Sequence, residues 1–303
     1  MLTKINPVLL PVCSCLLAAT LWGILWYPLR ILEHMGIPGL WATVFIYISA
    51  LIPIIPALIK QAQCFNQQPL LFFMIGVFAG WTNLAFILAV IEGPVVRVLL
   101  LFYLSPVWSV LLGWIFLKER LSVINWITVI IALLGAIIML WQPGLTSNIF
   151  QNKVDLLALS SGFAFALTNL CVRKTGDVPI IIKMGSAWFG VIILSLLGVL
   201  VIRLPIPPIT LNSGLLAAGV GCLGMVLMTY TAQYGVTHLP LHQSAVIFLF
   251  EVVAGAVSAA LLSSEVISIH EWIGGLLVMV AALITAKHGQ IIEKTAVSLS
   301  NKR

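Results

Sequence analysis

Residues Phe102 to Ser122 read FYLSPVWSVLLGWIFLKERLS. The run is apolar, broken by Pro106, until it meets Lys118, Glu119 and Arg120, the pattern of a membrane helix that stops at water. A slide of 146 residues brings the stretch onto a second copy: Phe102 falls on Phe248, Val107 on Val253, Glu119 on Glu265, Trp126 on Trp272, Ile127 on Ile273 and, upstream, Pro94 on Pro240. Six ungapped identities between matching apolar runs mark the second half as a repeat of the first. Two similar halves in a membrane protein point to a transporter with its binding site where they meet.

Composition agrees. Of 303 residues, 61% are hydrophobic and 8% charged, with a mean hydropathy of +1.16, which excludes an ordinary soluble core and specifies a polytopic membrane protein. The net charge of +6 comes from basic residues placed singly in short loops and at the C-terminus, so it reads as a topology signal and not as a nucleic-acid surface. Cysteines 13, 15, 64, 171 and 222 are odd in number and lie mostly in apolar runs, with neither a disulfide framework nor a metal-ligand spacing. No cofactor is expected. The first apolar run is about 20 residues long and others follow, so it reads as a first span and not as a cleaved leader.

Ten runs are long enough to span: 8–28, 39–59, 70–91, 95–117, 123–141, 154–173, 184–202, 211–236, 241–262 and 270–287. With the N-terminus cytoplasmic, eleven Lys and Arg fall inside against four outside (Arg30, Arg97, Lys153 and Arg203), which predicts both termini inside. Five spans per half is odd, so the halves enter the membrane from opposite sides. The expected fold is therefore all-α, with ten transmembrane helices as two inverted five-helix repeats. The first repeat covers 1–145, the second 146–290, and 291–303 forms a cytoplasmic tail.

Leu21-Trp22-Gly23-Ile24 with Arg30, Asn83 to Ala89, Leu104-Ser105-Pro106-Val107, Glu119-Arg120-Leu121-Ser122, Trp126 and Gly135 form a pattern that resembles the EamA-type transporters of the drug/metabolite transporter superfamily. Phe165-Ala166 and Arg173 stand where the second repeat would carry its Trp-Gly and basic residue. The resemblance implies a basket-like bundle with a central cavity walled by spans 1, 3, 4, 6, 8 and 9, exporting amino acids or related small amphiphilic metabolites. The short termini and the absence of a targeting segment fit a bacterial inner membrane better than an organelle. Thr128 departs from the pattern where a glycine would follow Trp126, and Glu251 where a small residue or proline would stand.

Glu251 is the sharpest candidate. It lies about 15 Å from the start of its span, near mid-membrane, where an acidic side chain must face protein or a wet cavity. There it either exchanges a proton or pairs with a cationic substrate group, or else it holds two helices together. Groups of similar depth are Ser105, Asn83 and Thr20, with Thr168 in the sixth span. Trp22 and Trp26, with Tyr230, Gln233 and Tyr234 in the eighth span, supply aromatic and hydrogen-bonding groups for a solute cavity. Helix packing and interfacial belts are the competing reading for each aromatic. Arg97 sits too near the outer surface to reach Glu251 and reads as a snorkelling anchor or a gating charge. Glu119 and Glu265 end equivalent helices on opposite faces, where they serve gating or loop folding without touching substrate.

An exchanger of phosphorylated cargo would need Lys or Arg at cavity depth, and none is there. His238 and His242 form an i,i+4 pair, but no HExxH, third ligand or nucleophile elbow accompanies them, so no enzyme is expected. An accessory or lipid-translocating subunit is disfavoured by the ten spans and their polar midplane layer. The partners expected are a small-molecule substrate, protons and the surrounding lipid.

Overall fold

The computed structural model describes residues 9–119, 122–141, 153–263 and 268–300, with side chains for all of these except Val96 and 288–300. Nine of the described segments are helices long and apolar enough to cross a membrane. The tenth, Val123–Met139, has 17 residues, about 25 Å of helix.

Four spans are broken. The first comprises α1 (Leu9–Ile24) and α2 (Trp26–His34), parted at Leu25. Pro28 supplies the cause, since it has no N–H for the Ile24 carbonyl. Two unbroken spans follow, α3 (Gly39–Lys60) and α4 (Pro69–Glu92), the former running through Pro53 and Pro56. The fourth divides at Tyr103 and Leu104 into α5 (Val95–Phe102) and α6 (Ser105–Leu117), where Pro106 leaves the Phe102 carbonyl without its helical donor. Then come α7 (Val123–Met139), α8 (Lys153–Lys174) and α9 (Ile180–Ile202). The eighth span carries a π-helical stretch, Val220–Met225, between α10 (Leu211–Gly219) and α11 (Val226–His238). The ninth divides at Leu249 into α12 (Leu241–Phe248) and α13 (Phe250–Leu262), and α14 (Ile269–Ser300) ends the chain.

The repeat is visible in the elements themselves. Moving α5 by 146 residues gives α12 to the residue, and the starts of α7 and α14 correspond in the same way. Packing follows the same rule. Exchanging the halves turns the α4–α8 seam into α11–α1 and the α6–α8 seam into α13–α1, while α7–α14 and α3–α9 each return to themselves. Gly113 of α6 faces Leu241 of α12, and Tyr103 faces Glu251, so the two broken spans cross antiparallel with their breaks level.

Two glycines let helices dock on those breaks. A Cβ on Gly23 would lie 2.7 Å from the Glu251 carbonyl oxygen, and one on Gly162 would lie 2.6 Å from the Phe102 carbonyl oxygen. Neither approach is open to a larger residue. The first span is thereby pressed onto the break in the ninth, and the sixth onto the break in the fourth.

Charges gather at the two ends of the bundle. One end holds Glu119, Arg173, Lys183 and His242, and the other holds Glu92, Arg97, Lys153 and Asp155. Residues 92 and 153 end and begin their spans, as do 119 and 241, so successive spans alternate in direction as the sequence requires.

Candidate functional site

Four aromatic rings meet where the halves cross. Trp22 lies 5.3 Å from Phe248 and 6.1 Å from Phe165, Phe165 lies 6.0 Å from Phe248, and Phe102 lies 5.6 Å from Phe165. Most of these contacts are edge-to-face or tilted, the arrangements that the ring quadrupoles favour. The four are two repeat-related pairs, Trp22 with Phe165 and Phe102 with Phe248, so the cluster has the pseudo-twofold symmetry of the bundle. Phe86 extends it, 5.2 Å from Phe102. Trp22, Phe102 and Phe165 remain half-buried although they point at one another, so open space adjoins the cluster.

Glu251 stands beside it, in the first turn of α13 and one helical turn from Phe248. Its carboxylate faces the Tyr103 phenol, whose ring lies 5.6 Å from Phe102. Tyr103 is 7% exposed and Ser105 5%, whereas Glu251 is only half-buried. The arrangement combines apolar faces, one carboxylate and a phenol. It can enclose the apolar part of a small solute while the carboxylate receives a proton or a positive group.

Other expected residues have different engagements. Trp26 donates to Ser258 Oγ at 2.8 Å, and Ser258 donates to the Gly23 carbonyl at 3.0 Å, a clasp between the first and ninth spans. Asn83 donates to the Ala79 carbonyl at 3.0 Å and accepts from the Tyr47 phenol at 3.4 Å, which ties the second and third spans. Thr20 and Thr168 donate to the carbonyls of Leu16 and Ala164 one turn back in their own helices. Gln233 is buried with its Oε1 unpaired among the described residues, Tyr230 is exposed, and the Tyr234 ring lies 4.2 Å from that of His238.

Arg97 is not a snorkelling anchor. It reaches Asp155 on α8, Nη2 to Oδ2 at 2.6 Å, and Asp155 is 1% exposed. The guanidinium fork matches a carboxylate in two places, and the pair joins the fourth and sixth spans. At the opposite end the Glu119 carboxylate accepts from the Leu241 backbone N–H at 3.0 Å and lies 3.2 Å from His242 Nδ1. It therefore caps α12 and joins the two crossing spans, a more specific role than loop folding. Glu265 and Arg120 lie outside the described residues. Lys183, which lies just before the predicted span 184–202, is fully buried and donates to the Gly176 carbonyl at 2.7 Å and Thr237 Oγ1 at 2.8 Å.

Tyr103, Phe102, Asp155 and Lys183 escaped the sequence reading as site or network residues. Phe102 was legible as the repeat partner of Phe248. Asp155 had no signal beyond its place at the edge of a span. A cavity of about 200 Å³ lined by Ile37, Phe45, Ser49 and Ser213 shares no residue with the central cluster. Among the described residues no group of three or more His, Cys, Asp or Glu is placed to hold a metal ion.

A solved crystal structure superimposes with a TM-score of 0.73 at 18% identity, covering 93% of this chain and 98% of the other, which establishes the shared fold. Among curated proteins, the chain is 32% identical over 111 residues to protein RarD of Escherichia coli, covering 36% of this chain and 35% of RarD. It is 29% identical over 185 residues to the uncharacterized transporter YojE of Bacillus subtilis, covering 60% of this chain and 58% of YojE. The chain thus spans between about a third and three fifths of the length of these relatives. Residues 9–141 and 152–287 each match the EamA-like transporter family, so both halves carry the same domain. With that duplication, the chain belongs to the EamA-like transporter family.

Proposed function

We propose that the protein is a secondary active exporter of small amphiphilic solutes carrying an amine, amino acids and related compounds foremost, working by alternating access. The observation that carries this reading is Glu251, an acidic side chain in the middle of a membrane-length segment, facing Tyr103 beside the Trp22, Phe102, Phe165 and Phe248 rings. An ionisable group at that depth is costly and is retained for a function. The rings receive the apolar body of the cargo, and Glu251 holds the proton when the cargo is absent and the amine when it is present. Competition between proton and cargo for one carboxylate couples their movements in opposite directions. The excess of basic residues at the Glu119 end supports a cytoplasmic placement of that end, with both chain termini on the same side of a bacterial inner membrane.

The test is uptake of radiolabelled amino acids and amines into proteoliposomes, with and without a pH gradient, for the native protein and Glu251→Gln. Gradient-driven uptake of one solute class, lost in the variant while solute exchange persists, is the expected result. Uptake that ignores both the gradient and the substitution makes Glu251 a structural residue and the protein a facilitator. No transport of any solute in the panel by folded protein refutes the cargo assignment.

A further inference from the structure

Arg173 and Arg30 occupy equivalent places in the two repeats, at the same spacing from Phe165 and Trp22 respectively. Their surroundings differ. Arg173 is half-buried and its Nη1 donates to the backbone carbonyl of Thr237 in the last turn of α11. That contact belongs to a seam in which α8 packs on both α11 and α12 at the Glu119 end. Exchanging the halves turns this seam into one between the first span and α4 and α5 at the Arg97 end. Among the described residues no comparable seam joins them. Instead α2 rests on α3 and α10, and Arg30 is exposed with its guanidinium 5.7 Å from the Trp26 ring.

The asymmetry has a covalent origin. α8 is unbroken from Lys153 to Lys174, while the first span is parted at Leu25, between Trp22 and Arg30. The break turns α2 away from α4, and the Trp26–Ser258 hydrogen bond holds it there. In two inverted halves, the conformation that one half adopts is the one the other adopts after the switch. The α8 seam on α11 and α12 is thus made at the Glu119 end, while its counterpart between the first span and α4 and α5 is not made at the Arg97 end.

We infer that Arg30 is the reciprocal gate residue: in the opposite conformation α2 pivots at Leu25 and Arg30 docks on the last turn of α4, as Arg173 now docks on α11. Under the 146-residue correspondence the Thr237 carbonyl maps to that of Ile91, and His238 maps to Glu92. Both mapped groups suit a guanidinium, since the carbonyls at a helix C-terminus attract cations and Glu92 adds a carboxylate. Glu92 now pairs at 2.9 Å with Lys153, whose side chain is 78% exposed, a surface pair readily exchanged. Closure at one end thus replaces the Arg173 contact with the Arg30 contact, and one arginine is docked at a time.

This gate rests on the transporter reading above, but its test needs no substrate. In a background with the native cysteines replaced, Arg30→Cys and Glu92→Cys are introduced together in proteoliposomes and oxidative crosslinking is followed. A disulfide requires the Cα atoms to come within about 7 Å, which only the closed position of α2 provides. Crosslinking should be slow in this parent and rise about tenfold when Arg173→Ala removes the opposing latch, the shift expected for one charged hydrogen bond. Ser258→Ala, a mild change that frees Trp26, should raise it in the same direction. Crosslinking complete in the parent, or unchanged by both substitutions in monodisperse protein, overturns the assignment. A silent uptake panel would leave it standing, and a failed crosslink would leave the cargo assignment standing.

Discussion

Arg97 and Asp155 meet in a two-pronged ion pair, Nε on Oδ1 at 2.7 Å and Nη2 on Oδ2 at 2.6 Å, across the seam between α5 and α8. The carboxylate is sealed from solvent, while the Arg97 side chain keeps 17% of its surface exposed. Removing the guanidinium therefore strands the carboxylate. Arg97→Met should lower stability by roughly 3–5 kcal/mol, while Arg97→Met with Asp155→Leu should recover most of that loss. Thermal unfolding in detergent decides between them: equal losses in the single and double variants would mean that the pair is merely tolerated.

Glu119 predicts a smaller and differently distributed effect. Its carboxylate serves the first free N–H of α12 and the His242 ring together, so it acts as a cap supplied by another span. Glu119→Ala should cost about 1–2 kcal/mol, the range for losing a cap. A double-mutant cycle with His242→Ala should show a coupling of about 1 kcal/mol. A coupling near zero would assign the whole effect to the Leu241 N–H.

Gly135 and Gly274 set how closely α7 and α14 approach. A Cβ on Gly274 would lie 2.4 Å from the Gly135 carbonyl oxygen, and one on Gly135 would lie 2.6 Å from the Gly274 carbonyl oxygen. Leucine at either position must push the helices apart along a seam that the pseudo-twofold returns to itself, and overpacking of this kind costs about 1–3 kcal/mol or more. Gly274→Leu should lower the yield of monodisperse protein in size-exclusion chromatography, while Gly219→Leu, where the added Cβ meets nothing, should leave it unchanged.

The repeat and the spans were legible because each is a one-dimensional property: a spacing or a run length. Under the offset that pairs Phe102 with Phe248, α5 and α12 coincide, although the counterpart of Pro106 is Val252. What escaped depends on helix rotation, which a hydropathy pattern apolar on every side does not fix. Asp155 looks like a rim charge until α8 is turned to face Arg97. Lys183 looks like a loop charge until α9 begins at Ile180, which carries it into the bundle beside the α8 C-terminus. Asn83 and Trp26 lie at the right depth for a cavity, yet Tyr47 and Ser258 claim them. Depth identified polar groups without telling which were committed to neighbouring helices.

Trp22 and Trp188 differ in how fully they are packed, which tests the cargo site proposed above. Trp188 is 1% exposed, its Nε1 donating to Thr229 Oγ1 at 3.2 Å, and Trp22 is half-buried in the central cluster. Truncating a sealed aromatic leaves a void, so Trp188→Ala should cost about 3–5 kcal/mol and depress transport only through the amount of folded protein. Trp22→Ala removes a ring that already borders open space, so less packing is lost, but the cargo loses one of its four faces. Its KM should rise about tenfold, the value of roughly 1.4 kcal/mol of binding, with kcat changed little. Trp22→Phe should restore most of the affinity, since it makes the position match its repeat partner Phe165. If Trp22→Ala destabilises the protein as much as Trp188→Ala and leaves KM alone, the quartet is a structural plug, and the cargo site lies elsewhere along the crossing of the fourth and ninth spans.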